Sequence, residues 1–334
     1  MAVTALPPSD RLARFLAAET GASQVCIAGL ALMRGGAIQE NWAVDAEFAG
    51  GRLAGRQRLV LRRDAMTGIP SSLSRLDEFA VLQAAFAAGV AAPEPLFACA
   101  DPAVFGKPFF VMRRLPGTAE GRVVTAGKDL DALAAQLGAE LARLQAVRGP
   151  GFLRRDSTAE RIAGFRTYLD RHPQPRPVLE WALRWLDTHL PEPLPPVLCH
   201  RDFRTGNYLV DDGRLAGILD WEFAGIGDPD EDIGWFCCKG WRFARLDREA
   251  GGIAARAPFY RGYERVSGRM PDPARVRFWE VFANLRWAII ALQQSDRFID
   301  GGEASLSTAI TGRRATECEL ELLMLLDPEG APRA

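Results

Sequence analysis

Lysine is nearly missing from this chain. Of 334 residues, 41 are Lys or Arg, yet lysine stands only at Lys107, Lys128 and Lys239. No G-x-x-x-x-G-K-[ST] can be written, which excludes a phosphate loop of that type. No G-x-G-x-x-G occurs either, so a dinucleotide-binding fold has no fingerprint. Histidine is confined to His172, His189 and His200, too few for designs that need several imidazoles. The six cysteines form no C-x-x-C pair and share no spacing with histidine. Zinc ligation and a disulfide framework are thereby disfavoured, and reduced, mostly buried thiols are expected. No apolar run approaches the roughly 18 residues of a membrane span; the best, Trp287 to Leu292, is short and follows Arg286. Net charge is −1, so no global positive field exists for nucleic acid or an anionic membrane. Neither partner is expected. The start, MAVTALPPSDRL, has neither the basic opening nor the apolar run of a signal peptide, and a cytoplasmic location is the expectation.

What is present is an ordinary globular mixture, 48% hydrophobic and 25% charged, long enough for two domains or one two-lobed unit. Ser9 to Thr20 reads as a short amphipathic helix with Ser9 as N-cap. Strand candidates follow at Gln24 to Met33, Asn41 to Phe48 and Arg58 to Arg62, with glycine turns at Gly35-Gly36 and Gly50-Gly51. Ser74 opens a helix in a capping box with Asp77, and Leu76, Phe79, Leu82 and Phe86 recur at helical spacing. Lys107 to Met112 is another strand candidate, closed by Pro116-Gly117. Helical patterns then run over Asp129 to Val147, Ala159 to Arg171 and Val178 to Leu190. A proline-rich connector precedes a β-like island, Val197 to Trp221, and the chain is helix-rich again from Asp230 to Leu326. The layout divides the chain near residue 116, into 1–115 and 116–334.

The island carries the chemistry. It contains His200-Arg201-Asp202, then Asn207, then Tyr208-Leu-Val, a turn at Asp211-Asp-Gly213, Leu215 to Leu219, and Asp220. Asp-Gly between apolar runs is a strong hairpin signal, and the hairpin returns Asp220 to the side of Asn207. Phosphoryl transfer from ATP needs oxygen ligands for Mg²⁺, here Asn207 and Asp220. It also needs a carboxylate to orient the attacking hydroxyl, here Asp202. Asp202 and Asp220 border apolar runs, where an unpaired carboxylate is expensive and a metal would relieve the cost. His200 reads as a hydrogen-bonded brace, and Asp228 and Asp232 as caps and loop braces. Glu222 is open between a second metal contact and a turn brace.

H-x-D-x-x-x-x-N, a hairpin and an isolated Asp resemble the catalytic and metal loops of protein-kinase-like folds. Asp220-Trp-Glu222, Gly227-Asp-Pro229 and Asp232 resemble the aminoglycoside phosphotransferase and choline kinase group more than protein kinases. The resemblance runs from about residue 24 to about residue 235. It implies an α+β, bilobal fold, with a small β-rich nucleotide-binding lobe and a larger, mainly helical catalytic and substrate-binding lobe. Arg204 matches the catalytic-loop lysine and would stabilise charge on the transferring phosphate, with a surface ion pair as the competing reading.

In the family the third strand normally ends in lysine paired with a helix glutamate. Here Leu59-Val-Leu-Arg62 occupies that place. Alternation puts Val60 and Arg62 on one face, so Arg62 is assigned to the α/β-phosphates and Val60 to adenine; Arg63 is the competitor, facing the other way. Glu78 is the ion-pair partner. Gly35 and Gly36 form the phosphate-covering turn, and Met112, Arg113 and Leu115 resemble the adenine-contacting connector between lobes.

A protein substrate is disfavoured: between Asp220 and Asp232 there is no Ser, Thr or Tyr, and no A-P-E follows. The acceptor is expected to be a small-molecule hydroxyl. From 231 to 300 twelve basic residues outnumber nine acidic ones, a balance that suits an anionic acceptor better than a polycation. The V-L-R and D-W-E details resemble the branch associated with hydroxyacyl-CoA phosphorylation. Trp235, Trp241, Trp279 and Trp287 read as core, with a choline-type cage as the alternative. The rival to an ATP- and Mg²⁺-dependent phosphotransferase is a nucleotide-binding pseudo-kinase with a sensor or scaffold role, for which the substituted lysine is the best argument.

Overall fold

Gly50, Gly51 and Gly55 all take positive φ, and around this turn the second strand folds back onto the third. The computed structural model describes residues 8–33, 39–64, 72–300 and 306–327. In chain order the first elements are α1 (Pro8–Thr20), β1 (Gln24–Leu32), β2 (Gln39–Ala49), β3 (Gly55–Asp64), α2 (Arg75–Ala87), β4 (Pro95–Cys99), α3 (Pro102–Phe105) and β5 (Phe109–Arg113). Then come α4 (Gly121–Thr125), α5 (Leu130–Gln145), α6 (Thr158–Arg171), α7 (Pro177–Thr188), β6 (Val197–Cys199), β7 (Tyr208–Asp211), β8 (Arg214–Ile218), β9 (Gly225–Gly227), α8 (Glu231–Cys237), α9 (Arg256–Ser267), α10 (Pro273–Ile299), α11 (Leu306–Thr311) and α12 (Arg314–Leu326). They divide into two compact units, Met1–Pro116 with Trp221–Phe223, and Gly117–Asp220 with Ala224–Ala334.

The first unit is built on an antiparallel sheet of order β1-β2-β3-β5-β4. Its middle strand, β3, is buried from Leu59 to Arg62. Strand alternation sends Leu59 and Leu61 into a core shared with Leu12 and Leu16 of α1, Phe97 and Phe109. Val60 and Arg62 therefore take the opposite face.

Two local expectations are corrected. The first helix begins at Pro8, so Ser9 lies inside it and is not its N-cap. On α2 the apolar spacing holds only in part: Leu82 is buried as expected, but Leu76 and Phe86 are exposed, and Arg75, Glu78, Val81 and Ala85 are buried beside Leu82. Ion pairing of Arg75 with Glu78 makes burial of that charged face affordable and turns the helix. Ser74 does cap α2, accepting the Asp77 N–H at 3.1 Å. The Asp77 carboxylate takes the Ser74 hydroxyl at 2.7 Å, in place of the backbone contact of a full capping box.

In the second unit the main core lies among α6, α7, α10 and α12, around Leu183, Trp279, Phe282 and Leu322. α8 packs tightly on α10 because Gly234 has no side chain: a Cβ there would lie 2.4 Å from Cβ of Trp279. β6 pairs with β9 and β7 with β8, both antiparallel. The β7–β8 turn has Asp212 at φ 44° and Gly213 at φ 72°. Two consecutive positive φ values are the type I′ geometry that matches strand twist. Among the described residues no helix is long and apolar enough to cross a membrane.

Candidate active site

The segment between β6 and β7, residues 200–207, is held from beneath by α8. Asp232, fully buried, accepts the backbone N–H of His200 and that of Arg201, each at 2.7 Å. Burial, and next the neighbouring Glu231 charge, push the Asp232 carboxyl up to about 7, while the two N–H donors pull it back. Arg201 has φ 63°, a left-handed conformation that a long side chain adopts only under constraint. His200 fixes the tautomer of its own ring. The Leu219 carbonyl can only accept, so Nε2, 2.9 Å away, carries the hydrogen, and Nδ1 accepts the Asp202 N–H at 3.2 Å. Burial lowers the pKa of this imidazole. His200 is a neutral brace.

Three donors surround the side chain of Asp202. Oδ1 accepts from Trp235 Nε1 at 2.9 Å and from Arg204 Nε at 3.0 Å. Oδ2 accepts from Asn207 Nδ2, which also donates to the Asp202 carbonyl at 3.0 Å. With its nitrogen so committed, Asn207 has Oδ1 as the atom to offer a cation. Arg204 also lies over the Trp241 ring, 4.5 Å from its centroid.

The hairpin does for Asp220 what its turn residues require. The Leu219 N–H donates to the Asn207 carbonyl at 2.8 Å, so the strand leaving β8 ends beside Asn207. Asp220 itself has φ 67°, a conformation Asp tolerates better than most residues. Asn207 and Asp220 thus stand at the two ends of one hairpin, each with side-chain oxygen. Among the described residues no group of three His, Cys, Asp or Glu could hold a metal ion. An oxygen-only pair suits a hard cation held mainly through phosphates, and the residues present fit magnesium in that respect.

In the first unit Arg62 and Glu78 meet: Nε of Arg62 lies 3.0 Å from the Glu78 carboxylate, both buried. Glu78 also pairs with Arg75. Glu222 joins the same cluster as a brace. It accepts from Gln39 Nε2 at 2.8 Å and from the Ser72 hydroxyl, and lies 3.6 Å from both Arg62 Nη2 and Arg75 Nη2. Arg63 faces away, bonded to Glu40 at 2.8 Å and placed over the rings of Trp42 and Phe105. Val60 and Met112 are cross-strand partners on the Arg62 face. The N–H groups of Arg113 and Arg114 donate to the carbonyls of Glu94 and Arg58, and the Arg113 side chain pairs with Glu94. Of the connector residues, Arg113 is thereby tied to the end of the sheet. Gly35 and Gly36 lie outside the described residues.

Sequence reasoning missed Arg75, Gln39 and Ser72, whose partners are scattered along the chain. Its reading of Trp235 as core holds, since Trp235 packs with Cys238, Trp241 and Ala283, but it missed the indole N–H bond to Asp202. The one signal for Trp235 was its place one helical turn after Asp232. Trp279 is a core residue, and the cations over Trp235 and Trp241 are the chain's own Arg286 and Arg204.

Residues 30–279 match the family model described as the phosphotransferase enzyme family, APH. A mouse protein named acyl-CoA dehydrogenase family member 10 is 27% identical over 292 residues, 81% of this chain and 27% of the relative. The chain spans about a quarter of the length of the first curated relatives it matches. Among solved structures, a putative aminoglycoside phosphotransferase from Ralstonia eutropha JMP134 aligns with TM-score 0.76 at 20% identity, over 96% of this chain and 98% of that one. A thermostable mutant aminoglycoside phosphotransferase, in ternary complex with ADP and hygromycin B, aligns with TM-score 0.61 at 18% identity, over 96% and 99%. The sheet-rich N-terminal region and helical C-terminal region are those of this protein-kinase-like fold.

Proposed function

The chain belongs to the phosphotransferase enzyme family, and from that premise we propose that it transfers the γ-phosphate of ATP, with Mg²⁺, to a hydroxyl of a small-molecule acceptor. The observation that carries the reading is the Asp202–Asn207 pair, with Asp220 returned beside Asn207 by the hairpin.

Asp202 orients the acceptor hydroxyl and takes up its proton as the phosphate is transferred. Arg204, bonded to Asp202, places positive charge beside the reacting oxygens. Asn207 Oδ1 and the Asp220 carboxylate would hold the magnesium ion, which when bound neutralises phosphate charge. Arg62, fixed by Glu78 and Glu222, contacts the α/β-phosphates as a planar fork, where lysine would be a point charge. Val60 and Met112 flank the adenine. With the Arg113 N–H engaged in the sheet, Leu115 is the connector residue left to meet the purine edge.

For the acceptor we favour hydroxyacyl-CoA esters. Two facts support them: relatives that carry an acyl-CoA dehydrogenase name, and the surplus of basic over acidic residues between 231 and 300.

An ADP-release screen tests the reading, run with Mg·ATP against hydroxyacyl-CoA esters, aminoglycosides, amino alcohols and sugars. Release above the no-acceptor rate with one class, strongly lowered but still measurable in Asp202→Asn, is the expected result. A melting shift with nucleotide but no release with any class would favour the pseudo-kinase reading.

A further inference from the structure

We propose that Trp235 is a positioning residue for the reaction assigned above: with Arg204 it saturates Oδ1 of Asp202, so that Oδ2 is the oxygen presented to the acceptor hydroxyl. The inference rests on the phosphotransferase reading and adds the identity of the reacting oxygen and of the side chain that selects it.

A carboxylate offers about four lone-pair sites, two on each oxygen. On Oδ1 both are taken, by Trp235 Nε1 at 2.9 Å and Arg204 Nε at 3.0 Å. On Oδ2, among the described residues, Asn207 Nδ2 alone donates, which leaves one lone-pair site for a further donor. A substrate hydroxyl is such a donor. Indole N–H can only donate, so Trp235 cannot compete for the proton and cannot exchange roles with the base.

The mounting of Trp235 is rigid. It is 2% exposed, whereas the Arg204 side chain is 25% exposed. Trp235 follows Asp232 by three residues on α8, so the two side chains project from one helix face. Asp232 fixes the backbone of the loop through His200 and Arg201, and Trp235 fixes the side chain of Asp202. Arg286 of α10 completes the mounting. Its guanidinium carbon lies 4.3 Å from the centroid of the Trp235 ring, and its Nη1 donates to the Arg201 carbonyl. A cation over the indole face draws electron density from the ring and strengthens the N–H as a donor.

The test is a double-mutant cycle on the full chain: wild type, Trp235→Phe, Asp202→Asn and the double variant. The probe is ADP release from Mg·ATP with water as acceptor, alongside the melting shift produced by ADP. Trp235→Phe should lower kcat about tenfold, the size of one charge-assisted hydrogen bond, with the ADP shift retained. In the Asp202→Asn background the same change should alter kcat less than twofold. An equal loss in both backgrounds would mark a purely structural tryptophan and overturn the inference, as would no loss in the wild-type background. If Asp202→Asn itself releases ADP at the wild-type rate, the parent reading falls and this one with it, an outcome distinct from the other two. Should Trp235→Phe fail to fold, ¹⁵N spectra of the eight indole groups in wild type and Asp202→Ala decide the matter. One indole N–H signal moving upfield supports the contact; eight unmoved signals remove it.

Discussion

The amide nitrogen of Asn207 donates twice to Asp202, once to its carbonyl and once to its carboxylate. The side chain that would offer oxygen to a cation is therefore the same one that holds Asp202 in place. Asn207→Asp exchanges a donor for an acceptor and sets two carboxylates against each other. ADP release should fall by roughly two orders of magnitude, the scale of losing one preorganised stabilising group. A variant that retains turnover within threefold would show that the pairing does not matter.

Asp220 calls for a gentler substitution than alanine, because its backbone lies at φ 67°. Asparagine tolerates that conformation, so Asp220→Asn removes charge with little backbone penalty. The expected result is a melting curve close to wild type, loss of turnover, and an ADP-induced melting shift that no longer depends on magnesium. A shift that still grows with magnesium would mean that the cation is held elsewhere.

His200 sets a pH dependence of stability. It is buried neutral, with its pKa lowered from the ordinary 6.5 by burial. The unfolded chain therefore binds a proton more readily, and the contribution of His200 is present above pH 6.5 and lost as pH falls toward the folded value. The slope for one proton is at most about 1.4 kcal/mol per pH unit. Urea unfolding of wild type and His200→Asn should give a stability difference that narrows as pH drops below 6.5. A difference that stays constant from pH 8 to 5 would contradict a neutral, buried ring.

The buried and exposed sides of α2 can be compared directly. Leu82 is 1% exposed and Phe86 41%. Leu82→Ala should cost about 2–5 kcal/mol in unfolding free energy, and Phe86→Ala less than about 1 kcal/mol. Equal costs would contradict the exposure of Phe86 and put it back in the buried stripe with Leu82.

These cases show what sequence could and could not disclose. The hairpin was legible because its cause is local: Asp212 and Gly213 accept positive φ, and apolar runs flank them. The spacing of Asp202, Asn207 and Asp220 was legible for the same reason. The α2 face was legible only in part, because its partners are distant in the chain. Glu78 is buried against Arg62 and Arg75, and Arg75 lies near Glu222, about 150 positions along. An apolar period competes poorly with such a network, and nothing within a window of eighteen residues announces it. Trp235 was hidden differently: a tryptophan in an apolar helix looks like filling until its N–H is found on a carboxylate.

The type I′ turn between β7 and β8 acts as a ruler. Because side chains alternate along a strand, a one-residue slip of β8 against β7 would turn the β8 side chains to the opposite face. Tags, linkers or natural drift can rewrite the letters of that two-residue loop wherever the new ones permit a left-handed bend, but they cannot change its length without uncoupling the two ends of the hairpin.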